Sequence, residues 1–134
     1  TLRPADAAWP SALNDLQTAP PQLYLLGDDG LLAAPSGLVA IVGTRKATSY
    51  GERVADRLGE AFAAAGVPVV SGLARGIDAA AHRGALRAGG RTIAVLGTGV
   101  DVPYPVGHRD LHHAISVQGL VIAEQRQHTE VFLL

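Results

Sequence analysis

The chain has 134 residues, 48% of them hydrophobic, with no cysteine and a formal net charge of −1. That is apolar material for one packed domain, in a length too short for two of ordinary size, and the lack of cysteine excludes disulfide scaffolds, zinc–thiolate sites and thiol nucleophiles. No apolar run approaches the ~18 residues of a membrane span, and the start Thr1-Leu-Arg-Pro-Ala-Asp6 lacks the zones of a signal peptide, so a cytoplasmic protein with no membrane role is expected.

Residues 1–37 are expected to form an N-terminal extension packed on the core. They contain the breakers Ala19-Pro-Pro21 and Pro35-Ser-Gly37. Between these, Gln22-Leu-Tyr-Leu-Leu26, Gly27-Asp-Asp-Gly30 and Leu31-Leu-Ala33 predict a strand, a tight turn and a second short strand. Trp9 and Tyr24 are the expected anchors of this extension.

From residue 38 to 134 the pattern changes. Leu38-Val-Ala-Ile-Val-Gly43 is a short apolar run closed by glycine, as expected of a buried strand, and Val67 to Ser71, Thr92 to Gly97 and Leu120 to Glu124 repeat it. Tyr50 to Ala65 and Ile77 to Ala88 have helical composition, with a weaker helix at Arg109 to Val117. Strands alternating with helices predict an α/β fold: a Rossmann-like open parallel sheet with helices on both faces.

Charge is unevenly placed along this order. Residues 1–40 sum to −3 and residues 92–134 to −2, whereas residues 41–91 hold eight basic side chains against four acidic ones, a net of +4. Arg53, Arg57, Arg83, Arg87 and Arg91 fall in or beside predicted helices, where arginine either solubilises a surface or meets phosphate. Arg45 and Arg75 fall in loops after strands.

Ligands of open parallel sheets bind outside the carboxyl ends of the strands, where the three glycine-bearing loops fall. From the first loop the candidate phosphate-binding residues are Gly43, Thr44, Arg45, Lys46 and Tyr50, from the second Ser71, Gly72, Ala74, Arg75 and Gly76, and from the third Gly97, Thr98 and Gly99. Two of the loops lead into helices, whose N-termini favour anions; alternatively the glycines serve tight turns. Neither a Gly-x-Gly-x-x-Gly fingerprint nor a Gly-Lys-Ser/Thr P-loop is present, so no nucleotide cofactor is indicated. Tyr50 and Tyr104 either meet a base or pack the loops.

Gly43-Thr-Arg45 with Thr48 and Tyr50-Gly51, Ser71-Gly-Leu-Ala-x-Gly-Ile-Asp78 with Ala81-His82 and Gly84-Ala-Leu86, and Thr92-Ile-Ala-Val-Leu-Gly-Thr-Gly99 with Tyr104-Pro105 together resemble the DprA/Smf family. Trp9-Pro10, Pro20-Pro21-x-Leu-Tyr24, Gly27 and Leu31-Leu32 extend the likeness upstream. The resemblance implies an extended Rossmann domain that binds single-stranded DNA in a basic pocket and delivers it to the RecA recombinase in natural transformation, with no catalytic group and with a possible homodimer in the full-length protein; no cofactor and no metal are expected. It implies that Arg45, of the family's Gly-Ser-Arg block, contacts the DNA backbone; threonine stands here in place of the serine. After Glu124 the family would continue to a basic Phe-Pro-x-Arg-Asn-Arg block, which Gln125–Leu134 does not match, so the Rossmann-like domain of residues 38–134 is expected to be incomplete on its C-terminal side.

Other chemistries remain open at this point. Asp78 and His82, four apart, suit either an acid/base pair or a helix start that braces the preceding loop. His108 and His112, with His113 and Asp110, have a metal-compatible spacing but no third ligand on another element. An alternative function on the same fold is a nucleotide-processing enzyme similar to the phosphoribohydrolases, whose Pro-Gly-Gly-x-Gly-Thr signature is absent here.

Overall fold

The structure is a computed structural model that describes residues 1–130. Five strands, β1 (Tyr24–Gly27), β2 (Val39–Ala40), β3 (Val69–Ser71), β4 (Thr92–Leu96) and β5 (Leu120–Ala123), form one sheet in the order β1-β5-β4-β3-β2. Three α-helices connect the parallel strands: α1 (Ser49–Ala64), α2 (Ile77–Arg87) and α3 (Arg109–Gln118). The segments expected as strands and helices from residue 38 onward all form, with shorter strands. The first of them pairs over only two residues, Val39↔Val69 and Ala40↔Val70, before Ile41 adds one last bond to the Val70 carbonyl.

Two features of the N-terminal segment differ from the reading above. The Leu31-Leu-Ala33 stretch is a 3-10 helix, Asp29–Ala33, rather than a second strand, because the Asp28 carboxylate accepts the Gly30 amide at 3.0 Å and caps a turn there. β1 joins the sheet antiparallel to β5, with Tyr24 opposite Ala123 and Gly27 opposite Leu120, so the open sheet is mixed.

Each parallel crossover steps the same way, from β2 toward β5, so the connecting helices share one face. On that face Ala94, Leu96, Val121 and Ala123 pack against Ala79 of α2 and Leu111 and Ile115 of α3. Val69, Val39 and Ile41 meet Ala63 of α1 and Ala81 and Ala85 of α2 there as well. The other face carries Ile93 and Leu120 and is covered by Leu31 and Leu32 of the 3-10 helix, with Leu25 of β1 beside them, in place of an α-helix. Leu2, Trp9 and Leu23 form a satellite cluster that secures the extension, and the Trp9 indole N–H donates to Asn14.

α1 and α2 pack unusually closely because each presents glycine at the crossing. A Cβ at Gly59 would fall on the Ala81 carbonyl, and one at Gly84 on the Asp56 carbonyl. The bulk that alanine adds at Gly84 can be relieved only by separating the helices, so Gly84→Ala should lower folding stability by about 1–3 kcal/mol in denaturant unfolding. Gly107→Ala, where a Cβ meets nothing within 4 Å, is the matched control. Equal loss in the two variants would contradict this packing.

Candidate functional site

The loops after β2, β3 and β4 meet at the carboxyl ends of the parallel strands. Gly76, at φ 82°, caps the start of α2 with its Cα against the Thr44 and Arg45 carbonyls, and the Ile77 amide donates to the Thr44 carbonyl at 3.2 Å. Glycine is needed at position 76, since a side chain would be strained by this φ and would strike the neighbouring loop. The Asp78 carboxylate, buried in the first turn of α2, accepts the Gly43 amide at 3.2 Å and the Gly72 amide at 3.0 Å. The ends of β2 and β3 are thereby pinned to one helix start.

The next residue, Leu73, is a non-glycine at φ 61°, held by two histidines. Its amide donates to His82 Nε2 at 3.2 Å, and its carbonyl accepts from His108 Nδ1 at 3.0 Å. With Nε2 accepting, the His82 hydrogen sits on Nδ1 and is donated to Thr92 Oγ1 at 2.8 Å, and that hydroxyl donates in turn to the Val69 carbonyl at 2.6 Å. Burial first, and then the neighbouring His108 charge, pushes the His82 pKa down from 6.5 to about 3, which keeps it neutral. Asp78 and His82 are thus both occupied as loop braces. His112 donates to the Val100 carbonyl at 2.8 Å, and among the described residues no group of three His, Cys, Asp or Glu is placed to hold a metal.

Above these braces lies a cleft of about 440 Å³, lined by Arg45, Gly72, Ala74, Arg75, Leu96, Gly97, Thr98, Tyr104, Pro105, Val106 and Gly107. Seven of the residues singled out from the sequence therefore come together: Arg45, Gly72, Ala74, Arg75, Gly97, Thr98 and Tyr104. The others lie elsewhere. The Gly43 amide faces Asp78 rather than open space, as does that of Gly72 although Gly72 lines the cleft. Thr44 turns its hydroxyl to the Lys46 amide at 3.1 Å, and Ser71 is buried with its hydroxyl on the Ile41 carbonyl at 2.6 Å. Gly99 donates to the Thr129 carbonyl at 2.8 Å, against the C-terminal segment. Tyr50, 70% exposed, stands on the first turn of α1 outside the cleft lining.

Pro105, Val106, Gly107 and Leu96 are cleft residues that sequence reasoning did not select. Val106 is 68% exposed, and an apolar residue after a proline carries no pattern that distinguishes a cleft wall from a core contact. Arg45 and Arg75 are exposed, and among the described residues neither has a carboxylate within 4.0 Å. The lining therefore combines two guanidiniums with an aromatic ring and apolar side chains.

This is an open-sheet α/β protein with a cleft at the carboxyl ends of its parallel strands. The family model for DNA recombination-mediator protein A matches residues 1–132, and the chain belongs to that family. It is 44% identical over 125 residues to Protein Smf of Synechocystis, covering 92% of this chain and 31% of that protein. To DNA processing protein DprA of Streptococcus pneumoniae it is 40% identical over 119 residues, covering 89% and 41%. The chain thus spans well under half the length of these curated relatives. The X-ray structure of the pneumococcal DprA superposes with a TM-score of 0.87 at 36% identity, covering 96% of this chain and 44% of that one. DprA of Helicobacter pylori, whose structure was described for its single-stranded DNA binding mode, gives 0.85 at 32% identity, covering 92% and 56%.

The His82 brace has a pH signature. The unfolded chain takes up a proton near pH 6.5 and the folded chain only near pH 3, so acidification across this interval favours unfolding. Stability present at neutral pH should fall by up to about 1.4 kcal/mol per pH unit below 6.5. His82→Gln, less stable at pH 7, should lose that part of the slope between pH 6.5 and 4.5 in denaturant titrations. Parallel slopes for the two proteins would contradict a neutral, buried His82.

Proposed function

We propose that the cleft binds single-stranded DNA, with Arg45 and Arg75 on its phosphates and Tyr104, Pro105 and Val106 against its bases, and that it performs no bond chemistry. The observation that carries this reading is that two guanidiniums with no carboxylate within 4.0 Å among the described residues line one cleft together with Tyr104, Pro105 and Val106. A strand without its complement presents both a charged backbone and uncovered base faces, and this cleft offers a surface to each. The relative from Helicobacter pylori, similar over 92% of this chain, supports the ligand class. The site also lacks a free acid/base pair, since Asp78 and His82 are held by loop amides.

The reading extends to the longer protein: protection of incoming DNA in the cytoplasm during natural transformation, loading of the RecA recombinase onto the bound strand, and assembly as a homodimer. Membership of the recombination-mediator family supports it. Among the described residues no helix is long and apolar enough to cross a membrane. Residues 38–134 would act as the DNA-binding unit and residues 1–37 as its packed extension.

Arg45→Ala should weaken binding of a labelled oligothymidine of about six residues by about tenfold, the scale of one charge-assisted contact. It should also make the slope of log affinity against log salt shallower by about 0.7. Arg91→Ala, at the amino end of β4 and paired with Asp28 at 2.5 Å, should leave both unchanged. Wild-type affinity and slope in a folded Arg45→Ala protein would refute the assignment, and nucleoside monophosphate hydrolysis without DNA binding would favour an enzyme.

A further inference from the structure

A second groove, of about 340 Å³, runs between α1 and α2 and includes Ser49, Glu52, Arg53, Asp56 and Arg57 on one side and Arg83 on the other. Beside it, Gly84 lets α2 close on the Asp56 carbonyl. Arg87 engages the carboxylates of both Asp56 and Glu60. Its hydrogen bond, with added attraction from Arg57 and Arg83, holds the Asp56 carboxyl below its usual range, so that acid stays ionised and paired. Among the described residues Arg53, Arg57 and Arg83 have no carboxylate within 4.0 Å, which leaves three guanidiniums against Glu52.

Two further observations indicate what this surface fits. Tyr50, Arg53 and Arg57 are spaced i, i+3 and i+7 on α1, so an exposed ring and two guanidiniums share one stripe. A ring beside cations suits a strand whose bases are unpaired. The groove is also continuous in sequence with the cleft, because Ser49 lies four residues after Arg45, at the end of the same loop.

We propose that the α1–α2 groove is a second contact for the same single strand, taking phosphates on Arg53, Arg57 and Arg83 beyond the segment held in the cleft, with Tyr50 at its mouth. The inference rests on the single-strand reading of the cleft. Its requirement is length: a short oligonucleotide fills the cleft alone, and a longer one reaches the groove.

The test measures binding of oligothymidines of about 6 and about 20 residues as a function of salt, for the wild type, Arg45→Ala and the triple variant R53A/R57A/R83A. The triple variant should bind the short oligonucleotide as the wild type does, and should bind the long one at least tenfold more weakly, with a salt slope shallower by up to about 2. Arg45→Ala should weaken both. The charge-preserving R53K/R57K/R83K should restore most of the long-oligonucleotide slope, which separates charge from packing. A folded triple variant that binds the long strand like the wild type overturns the proposal, as does equal weakening for both lengths or a wild type whose affinity does not grow with length. If the wild type binds neither oligonucleotide, the reading of the cleft falls and the groove with it.

Discussion

The carboxylate of Asp78 holds the ends of two neighbouring strands on the first turn of one helix, and the functional edge of the molecule is built from that point. Its two acceptor bonds, to the amides of Gly43 and Gly72, satisfy backbone donors at turns where no ladder partner exists. They also place a negative group at the positive end of α2. Arg45 follows the first pinned amide by two residues and Arg75 follows the second by three, so the backbone positions from which the two cations extend are set close to that carboxylate. The His82 and His108 contacts to Leu73 lock the intervening turn in a conformation that a leucine rarely adopts.

This arrangement differs from a glycine-lined anion nest. In such a nest the amides at the strand ends point at the ligand; here those of Gly43 and Gly72 point at a carboxylate of the same chain. On the proposed reading the Gly43 and Gly72 amides contribute nothing to an anion, and the guanidiniums of Arg45 and Arg75 would carry more of its recognition, with the salt dependence that exposed charges bring. On that reading, with phosphates on two arginines and bases on Tyr104, Pro105 and Val106, such a cleft would suit a flexible polymer better than a small nucleotide, since each set of side chains would meet a repeating feature of the strand.

Much of this was legible in the sequence. Apolar runs ended by glycine gave the parallel strands, alanine-rich stretches gave the helices, and the rule that ligands sit at carboxyl ends put Arg45, Arg75 and Gly97 on one edge, where they lie. The antiparallel placement of Tyr24–Gly27 was not legible, because an apolar run does not reveal which edge it joins or in which direction. The fate of the Gly43 and Gly72 amides was hidden for a related reason. Asp78 read equally as a helix start or as half of an acid/base pair, and only the fold brings its two oxygens to loops 35 and 6 residues away. Tyr50 looked like a cleft residue from its distance to Arg45, but the helix begins at Ser49 and carries it onto the α1 surface.

The most direct measurement is an amide-resolved NMR titration of the chain with oligothymidine at moderate salt. Single-strand binding at the cleft predicts that shifts concentrate at Arg45, Gly72, Ala74, Arg75, Gly97, Thr98 and Gly107, while Gly30, Gly66, Gly89 and Gly90, which line a pocket at the opposite ends of the strands, stay unmoved. Shifts confined to that opposite edge, or none at saturating oligonucleotide, would contradict it.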